Sequence, residues 1–121
     1  MSESFREEIN EAIGAHGAWK HRLRTAAMKQ ETNLPVEDIC SDDKCRFGKW
    51  LYALSTDQRK DGRAEKVREL HAQFHKTAGN VALLIRDGKA DAALNEIESG
   101  AFVEHSKILS RELTAWKMSL L

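Results

Sequence analysis

The sequence predicts an all-α protein, an antiparallel four-helix bundle with an additional short helix that carries a cysteine. The 121 residues are rich in Ala, Leu, Lys, Glu and Arg and include a single Pro, a composition that favours helices. Long segments repeat apolar residues at spacings of three and four, the pattern of amphipathic helices. The connections between them are short, as between antiparallel neighbours. At this length we expect a single domain over residues 1–121.

The first predicted helix covers residues 4–31. Its apolar stripe includes Phe5, Ile9, Ile13, Trp19 and Leu23. His16 lies on this stripe and is predicted to face the core, whereas His21 lies off it and is predicted to be solvated. Gly14 and Gly17 lower the stability of the helix by roughly 1 kcal/mol each relative to Ala, unless they serve to let another element approach His16.

A turn is predicted at residues 33–41, where Pro35 can begin a one-turn helix through residues 36–39. Cys40 lies in or beside this turn, five residues before Cys45. A reversible disulfide between the two cysteines would require their Cα atoms to lie within about 7 Å. A free thiol at Cys40 is the simpler interpretation, because cysteines in a reducing compartment are mostly free or metal-bound.

A short helix is predicted at residues 43–54, with Ser41 or Asp42 as its N-cap. Cys45 then lies in the first turn, where unpaired N–H groups and the helix dipole favour a thiolate over a thiol. Gly48 follows three residues later and has no side chain to keep a neighbouring helix or imidazole away. The short helix therefore offers a metal-binding sulfur close to other elements of the bundle.

A long helix is predicted over residues 63–87, and it carries two histidines. His71 and His75 are four residues apart, so both project from one face of the helix, about one turn apart. Leu70 and Phe74 immediately precede them and belong to the apolar stripe, so this face borders the core. Two imidazoles are costly to bury unless both are satisfied, and one bound metal ion would satisfy both.

The last helical region is predicted to begin at residues 89–91 and to continue to near the end of the chain. Gly88 ends the preceding helix, as Gly commonly does, and residues 99–100 break or bend the last region. His105 lies near its apolar stripe. We interpret it as a core or partly exposed residue, with a fourth nitrogen ligand or a hydrogen-bond partner of a ligand as the alternatives.

His16, Cys45, His71 and His75 together form the predicted metal site. A single His on an apolar face is usually a hydrogen-bonded core residue, and a single Cys is usually a small buried hydrophobe. Three imidazoles and one thiolate, however, are a complete ligand set for tetrahedral zinc, and these ligands favour zinc over iron or magnesium. We therefore expect one zinc ion per chain, with Cys45 as the redox-reactive ligand.

Asp42 and Asp43 precede Cys45 by a few residues. Each is interpreted first as a helix-capping residue. Either carboxylate is also a candidate to accept the second N–H group of a metal-bound histidine, as carboxylates often do around metal sites.

Charge and composition argue against several other classes of protein. The 19 basic and 19 acidic residues balance, whereas a nucleic-acid-binding protein needs a basic excess. No apolar run approaches the ~20 residues of a membrane span, and the N-terminus lacks the apolar stretch of a signal peptide, so the predicted location is the cytoplasm. An enzyme is not expected, because nothing marks an oxyanion site beside a Cys–His pair and the Glu-x-x-His motifs of a di-iron bundle are missing.

The motifs together resemble the chemoreceptor zinc-binding (CZB) domain family. The resemblance rests on a His that precedes a Trp by three residues, on the Cys-x-Phe-Gly-x-Trp segment from Cys45 to Trp50, and on the His-x-x-x-His pair. It covers nearly the whole chain, and the segment from Cys45 to Trp50 is its most specific part. The resemblance implies a three-His, one-Cys zinc site formed by His16, Cys45, His71 and His75.

The family resemblance also implies a function. CZB domains occur mainly in bacterial cytoplasmic chemoreceptors, in some diguanylate cyclases and as stand-alone proteins. The resemblance implies a helical homodimer that senses zinc or oxidants such as hypochlorous acid, with an output signalling domain or chemotaxis signalling proteins as partners. In this interpretation, oxidation of Cys45 or loss of zinc releases the short helix, which is expected to have few contacts of its own.

Two alternatives remain open from the sequence. The first is a purely structural, zinc-stapled dimerisation module, which would bind zinc tightly and would not respond to oxidant or to the zinc level. The second is a helical adaptor without metal, in which the pair of histidines only packs in the core. A measurement of bound metal separates the second alternative from the others.

Overall fold

The computed structural model describes residues 2–60 and 62–120. Its elements are, in chain order, α1 (Ser2–Lys29), α2 (Val36–Cys40), α3 (Arg46–Tyr52), a 3₁₀ turn (Asp57–Arg59), α4 (Arg63–Arg86), α5 (Ala90–Ser99) and α6 (Ala101–Ser119). No strand occurs in these two segments, and the predicted all-α fold is confirmed. The antiparallel order of four main helices stays a prediction. None of the helices in the described segments is long and apolar enough to cross a membrane.

One hydrophobic core joins the four longer helices. α6 packs against α1, α4 and α5, and α1 also contacts α4 and α5. These helices bury their apolar stripes in the core, as the spacing of three and four predicts. The largest fully buried side chains include Ile9, Leu23, Phe74, Ile97, Phe102, Leu113 and Trp116. α2 lies on α4, and α3 contacts both α1 and α4, which places the Cys45 segment beside both histidine-bearing helices.

The helix boundaries predicted at two glycines are confirmed. Gly88 follows the C-terminus of α4 with φ +81°, a left-handed conformation that glycine adopts without steric cost. At Gly100 the last helical region divides into α5 and α6. The Glu96 carboxylate accepts a hydrogen bond from the Ala101 N–H at 3.1 Å, which satisfies one of the free N–H groups at the start of α6.

Two other glycines mark places where backbones approach closely. A Cβ atom on Gly48 would lie against the carbonyl group of Asp42, 2.8 Å from its carbon atom. A Cβ atom on Gly79 would lie 2.9 Å from the Cα atom of Cys40, where α2 ends on α4. Gly48 does let another part of the chain come near, as predicted, and that part is the turn that precedes α3.

Gly14 and Gly17 lie on the exposed side of α1. Among the described residues, no atom outside the adjacent helix backbone lies within 4 Å of a Cβ atom added to either glycine. The expectation that these glycines let another element approach His16 is therefore not met within the described chain. Their cost to the helix, roughly 1 kcal/mol each, is not offset by a close packing contact there.

α3 is held by a cluster of aromatic rings centred on Trp50. The Trp50 ring stacks on Phe47 at 5.6 Å, meets Phe5 of α1 edge-on at 4.9 Å, and lies 5.8 Å from Trp116 of α6. Phe5 and Trp116 also contact each other, with ring centroids 6.1 Å apart. As expected, α3 makes few close backbone contacts with the other helices of the described chain, and its aromatic side chains supply its packing against α1 and α6.

Candidate metal centre

The four predicted ligands come from three parts of the fold and meet inside the bundle. His16 lies in α1, His71 and His75 lie in α4, and Cys45 immediately precedes α3. The three imidazoles are 5%, 0% and 2% exposed in that order, and Cys45 is partly buried. Their ligand atoms form one cluster, although the residues are far apart in the sequence. The three histidines meet there because helical periodicity places each of them on an inward face.

The separations between the ligand atoms fit a tetrahedral zinc ion. The Nε2 atoms of the three histidines lie 3.0–3.3 Å apart. The Cys45 Sγ atom lies 3.3, 3.6 and 3.9 Å from the Nε2 atoms of His71, His75 and His16. Zn–N bonds of about 2.0–2.1 Å and a Zn–S bond of about 2.3 Å give tetrahedron edges of roughly 3.3 Å between nitrogens and roughly 3.6 Å between nitrogen and sulfur. The sulfur–nitrogen separations scatter around the expected edge and the nitrogen–nitrogen separations lie at or slightly below theirs, so the donor set fits one zinc ion.

Hydrogen bonds at Nδ1 set the protonation of two of the imidazoles. Nδ1 of His16 donates to the Ala12 carbonyl oxygen at 2.7 Å, and Nδ1 of His75 donates to the Ile39 carbonyl oxygen at 2.9 Å. A neutral imidazole carries one proton, so Nε2 of each ring presents a lone pair. These two Nε2 atoms are 3.3 Å apart, and their lone pairs face each other with no proton between them. A bound cation converts this repulsion into two metal–ligand bonds.

The acceptors at Nδ1 differ from the predicted carboxylates. Nδ1 of His71 is buried and has no hydrogen-bond partner among the described residues. The Asp42 carboxylate instead accepts a hydrogen bond from the Tyr52 hydroxyl at 2.6 Å, and Asp43 is exposed. Backbone carbonyls take the place of carboxylates because the end of α2 lies against α4, which brings the Ile39 carbonyl oxygen to His75.

The two carbonyl acceptors were not foreseen from the sequence. Ala12 precedes His16 by four residues in the same helix, so the helical spacing does carry a signal for that contact. Ile39 lies 36 residues before its histidine, with α3 and the first half of α4 between them. No local pattern predicts that contact, which depends on where α2 docks.

Cys45 is the N-cap residue of α3 and not a residue of its first turn. Its Sγ atom accepts a hydrogen bond from the Gly48 N–H at 3.3 Å, so neither Ser41 nor Asp42 is the N-cap. Burial raises the pKa of the Cys45 thiol and outweighs the N–H groups of Gly48 and Phe47, which lower it. Without a metal, Cys45 is therefore a thiol near neutral pH, contrary to the thiolate expected from the helix N-terminus alone.

Alkylation of the metal-free protein is expected to modify Cys40 before Cys45. Cys40 is exposed, whereas Cys45 is partly buried and its raised pKa leaves little thiolate, the reactive form. Brief treatment of chelator-treated protein with iodoacetamide near pH 7.5, followed by peptide mass spectrometry, measures both rates in one sample. Faster modification of Cys45 than of Cys40 would contradict the pKa direction.

Burial lowers the pKa of all three imidazoles. The pKa of His16 falls to about 4 and that of His71 to about 2, and the charges of neighbouring imidazoles contribute to both shifts. The pKa of His75 is also lowered by burial, although its hydrogen bond to the Ile39 carbonyl opposes the shift. All three rings are therefore neutral near pH 7, which is the form that binds a metal ion.

The metal-free protein is expected to lose stability as the pH falls below 6.5. Histidines of the unfolded chain bind protons near pH 6.5, whereas folded His16 and His71 bind them only near pH 4 and pH 2, so protons favour the unfolded state in this window. From about pH 7 to about pH 5, each of the two histidines lowers the unfolding free energy by roughly 2 kcal/mol. Urea titrations of chelator-treated protein at the two pH values measure the loss.

Two histidine variants serve as controls for this pH dependence. His16→Asn removes one of the three buried imidazoles and should reduce the loss of stability by roughly 2 kcal/mol. His21→Asn removes an exposed histidine and should keep the full loss. Equal stability of the metal-free protein at both pH values would contradict the lowered pKa values.

A small cavity of about 70 Å³ lies beside Cys45 and His16. Its wall includes Arg46 and Glu8, which form an ion pair at 2.8 Å, and Glu11, whose carboxylate lies 3.7 Å from the Arg46 guanidinium. The cavity adjoins the Cys45 side chain, and the ion pair joins the start of α3 to α1 at its edge.

The other candidates lie apart from the cluster of ligand atoms. Cys40 and Cys45 are both free thiols, so the alternative disulfide between them is not formed in the structure. His21 is exposed, as predicted. His105 is partly exposed, with a buried Nδ1 atom that has no hydrogen-bond partner in the described part of the chain. Within the described residues, neither histidine belongs to the four-residue cluster.

Comparison with protein families gives a match to the model of the chemoreceptor zinc-binding domain over residues 16–82. The matched segment is more than half of the 121 residues and contains all four side chains of the cluster. The prediction of zinc as the cofactor is confirmed, because this is a zinc-binding family and the chain holds a fitting donor set. Comparisons with curated proteins and with solved structures gave no match.

Proposed function

Because the chain belongs to the chemoreceptor zinc-binding domain family, we propose that residues 1–121 form one sensory or regulatory domain of bacterial signalling. The ligands of its single zinc ion are His16, Cys45, His71 and His75. The domain acts in the cytoplasm as a homodimer, on an output signalling domain or on chemotaxis signalling proteins. The observation that carries the proposal is the buried convergence of three imidazole nitrogens and one sulfur, with lone pairs that face each other.

The four ligands hold three elements of the fold together. His16 anchors α1, the pair of histidines anchors α4, and Cys45 fixes the start of α3. A bound zinc ion supplies positive charge, which lowers the pKa of a thiol ligand and keeps Cys45 as a thiolate near neutral pH. The carbonyl groups of Ala12 and Ile39 hold two of the imidazoles in the orientation that presents Nε2 to the metal.

Cys45 is the ligand through which an oxidant acts. A thiolate sulfur attacks the chlorine of hypochlorous acid, which gives a sulfenyl chloride and hydroxide. Water then hydrolyses the sulfenyl chloride, which releases chloride and a proton and leaves a sulfenic acid. A sulfenic acid is a weaker ligand than a thiolate, so affinity for zinc falls. The small cavity adjoins the Cys45 side chain, and oxidation also alters the atom that accepts the Gly48 N–H at the start of α3.

The aromatic cluster carries a change at Cys45 to two other helices. Trp50 lies in the same short helix and contacts Phe5 of α1 and Trp116 of α6. A shift of α3 therefore repacks rings near the start of α1 and the end of α6. The response is a rearrangement of this cluster, and not the simple release of a weakly held helix.

Zinc analysis before and after oxidation tests the proposed function. The untreated protein should hold about one zinc ion per chain, and a few equivalents of hypochlorous acid per chain should release most of it, because the exposed Cys40 thiol also consumes oxidant. Cys40→Ala should behave in the same way, because Cys40 is an exposed free thiol outside the cluster. Cys45→Ala should stay folded, bind zinc more weakly and show no further response to the oxidant.

The possible outcomes separate the proposal from its alternatives. Absence of zinc from the untreated protein, with no stabilisation by added zinc, would rule out the metal site. Zinc that remains bound after Cys45 has been oxidised would favour the structural dimerisation module. That alternative has specific support, because the rings around Trp50 hold α3 in place.

A further inference from the structure

A groove of about 590 Å³ runs between α1 and α6. Its apolar lining consists of the partly exposed Ile13 and Val103 and the fully buried Phe102 and Leu113. The volume is in the range of pockets that bind small molecules, which are commonly apolar with a few polar groups that orient the ligand. The groove is separate from the small cavity beside Cys45, although His16 contributes to the wall of both.

Three cationic side chains surround this apolar lining. Lys20 comes from α1, and Lys107 and Arg111 come from α6, four residues apart on the same face. In the described part of the chain, none of the three forms an ion pair and no acidic residue lines the groove. Like charges at this spacing on a helix repel each other. The arrangement therefore favours a negatively charged group between the two helices.

Three hydroxyl groups of α6 add hydrogen-bonding capacity to the same wall. Ser106, Ser110 and Thr114 line the groove, and within residues 2–60 and 62–120 their hydroxyls have no hydrogen-bond partner. The hydroxyls of Ser99 and Ser119 behave differently, because each donates to a carbonyl oxygen of its own helix. The groove thus combines an apolar lining, unpaired cations and uncommitted hydroxyls.

We propose that this groove binds a soluble organic anion that has a carboxylate or sulfonate group and an apolar body. Arg111 and Lys107 bind the acidic group from α6, and Lys20 faces it from α1. The apolar body lies on Ile13 and Val103, the two apolar lining residues that are partly exposed. Charge complementarity selects an anion, and the volume and the apolar lining select a small amphipathic molecule over inorganic phosphate.

Gly17 explains why the groove stays open on the α1 side. It lines the groove, and among the described residues an added Cβ atom meets nothing within 4 Å. A larger side chain at this position would project into the space that the ligand occupies. The inference does not depend on zinc sensing, because the groove uses other side chains than the metal centre apart from the shared wall at His16.

Titration of the zinc-loaded protein with the anionic dye 8-anilinonaphthalene-1-sulfonate tests this site. The dye should bind with a stoichiometry of one, and decanoate should displace it. The double variant Lys107→Gln/Arg111→Gln should bind at least roughly tenfold more weakly, because it removes two charged hydrogen-bond donors. Lys76→Gln, which removes an exposed cation of α4 outside the groove, should bind like the wild type.

Gly17→Leu provides a steric test that leaves every cation in place. Leu favours a helix more than Gly does, so this variant should fold, retain zinc and lose dye binding. Equal dye affinity in the wild type and the double variant, or a failure of decanoate to compete, would overturn the proposal. It would also be overturned if the double variant only dissociated a dimer in sedimentation experiments, because the groove would then hold a second copy of the chain.

Discussion

His71→Ala is expected to lower the affinity for zinc on the order of 10²–10³-fold, because it removes one of four ligands from a site where structural zinc contributes about 10–16 kcal/mol. His71 is fully buried, and its Nε2 atom lies 3.0 and 3.1 Å from those of His16 and His75. Water that fills the vacated space binds zinc less strongly than imidazole. Competition between the protein and a chromogenic chelator at fixed pH measures the change.

His21→Ala is the matched control for this variant. It removes an exposed imidazole from the same protein and should leave the affinity for zinc unchanged. Circular dichroism of both variants in the zinc-loaded state verifies that they are folded. If His71→Ala bound zinc as tightly as His21→Ala, then His71 would not be a ligand and the proposed site would be wrong.

Gly48→Ala is expected to destabilise the protein and to weaken zinc binding at the same time. The added Cβ atom would collide with the carbonyl group of Asp42, which is backbone and cannot rotate away. Overpacking of this kind costs roughly 1–3 kcal/mol. The displacement also moves the Gly48 N–H away from the Cys45 Sγ atom, so the cysteine ligand loses the contact that positions it. Urea unfolding and zinc competition measure the two effects.

Gly14→Ala should have the opposite effect on stability. Its added Cβ atom meets nothing within 4 Å among the described residues, so the change raises helix propensity without a steric cost and should stabilise the protein by up to about 1 kcal/mol. Its affinity for zinc should equal that of the wild type. A Gly48→Ala protein as stable as Gly14→Ala would show that the turn before α3 adapts freely.

Helical periodicity was enough to predict most of the elements and the inward direction of the histidines. The spacing of four between His71 and His75 places both on one face whatever the rest of the fold does. His16 was predicted to face the core because Ile13 and Trp19 flank it on the apolar stripe. Such predictions depend only on local geometry, which is why the buried positions of the three imidazoles agree with them.

Features that depend on the docking of short segments could not be read from the sequence. Cys45 is the N-cap of α3 because the turn before it packs closely against Gly48. In the sequence, several nearby residues were equally good candidates for the N-cap. The Asp42 carboxylate accepts a hydrogen bond from the Tyr52 hydroxyl and not from an imidazole. The acid–base behaviour of Cys45 also depends on tertiary structure, because burial by other helices outweighs the effect of its own helix.

The ring contact between Phe5 and Trp116 has a consequence for the order of folding. It closes a loop that includes almost the whole chain, and contacts of such long range form only after a large loss of chain entropy. α4, α5 and α6 follow one another through short connections, so their mutual packing is local and is expected to form early. Docking of α1, which brings Phe5 and His16 to their partners, is then the late step. The helix that comes first in the chain is thus expected to dock last.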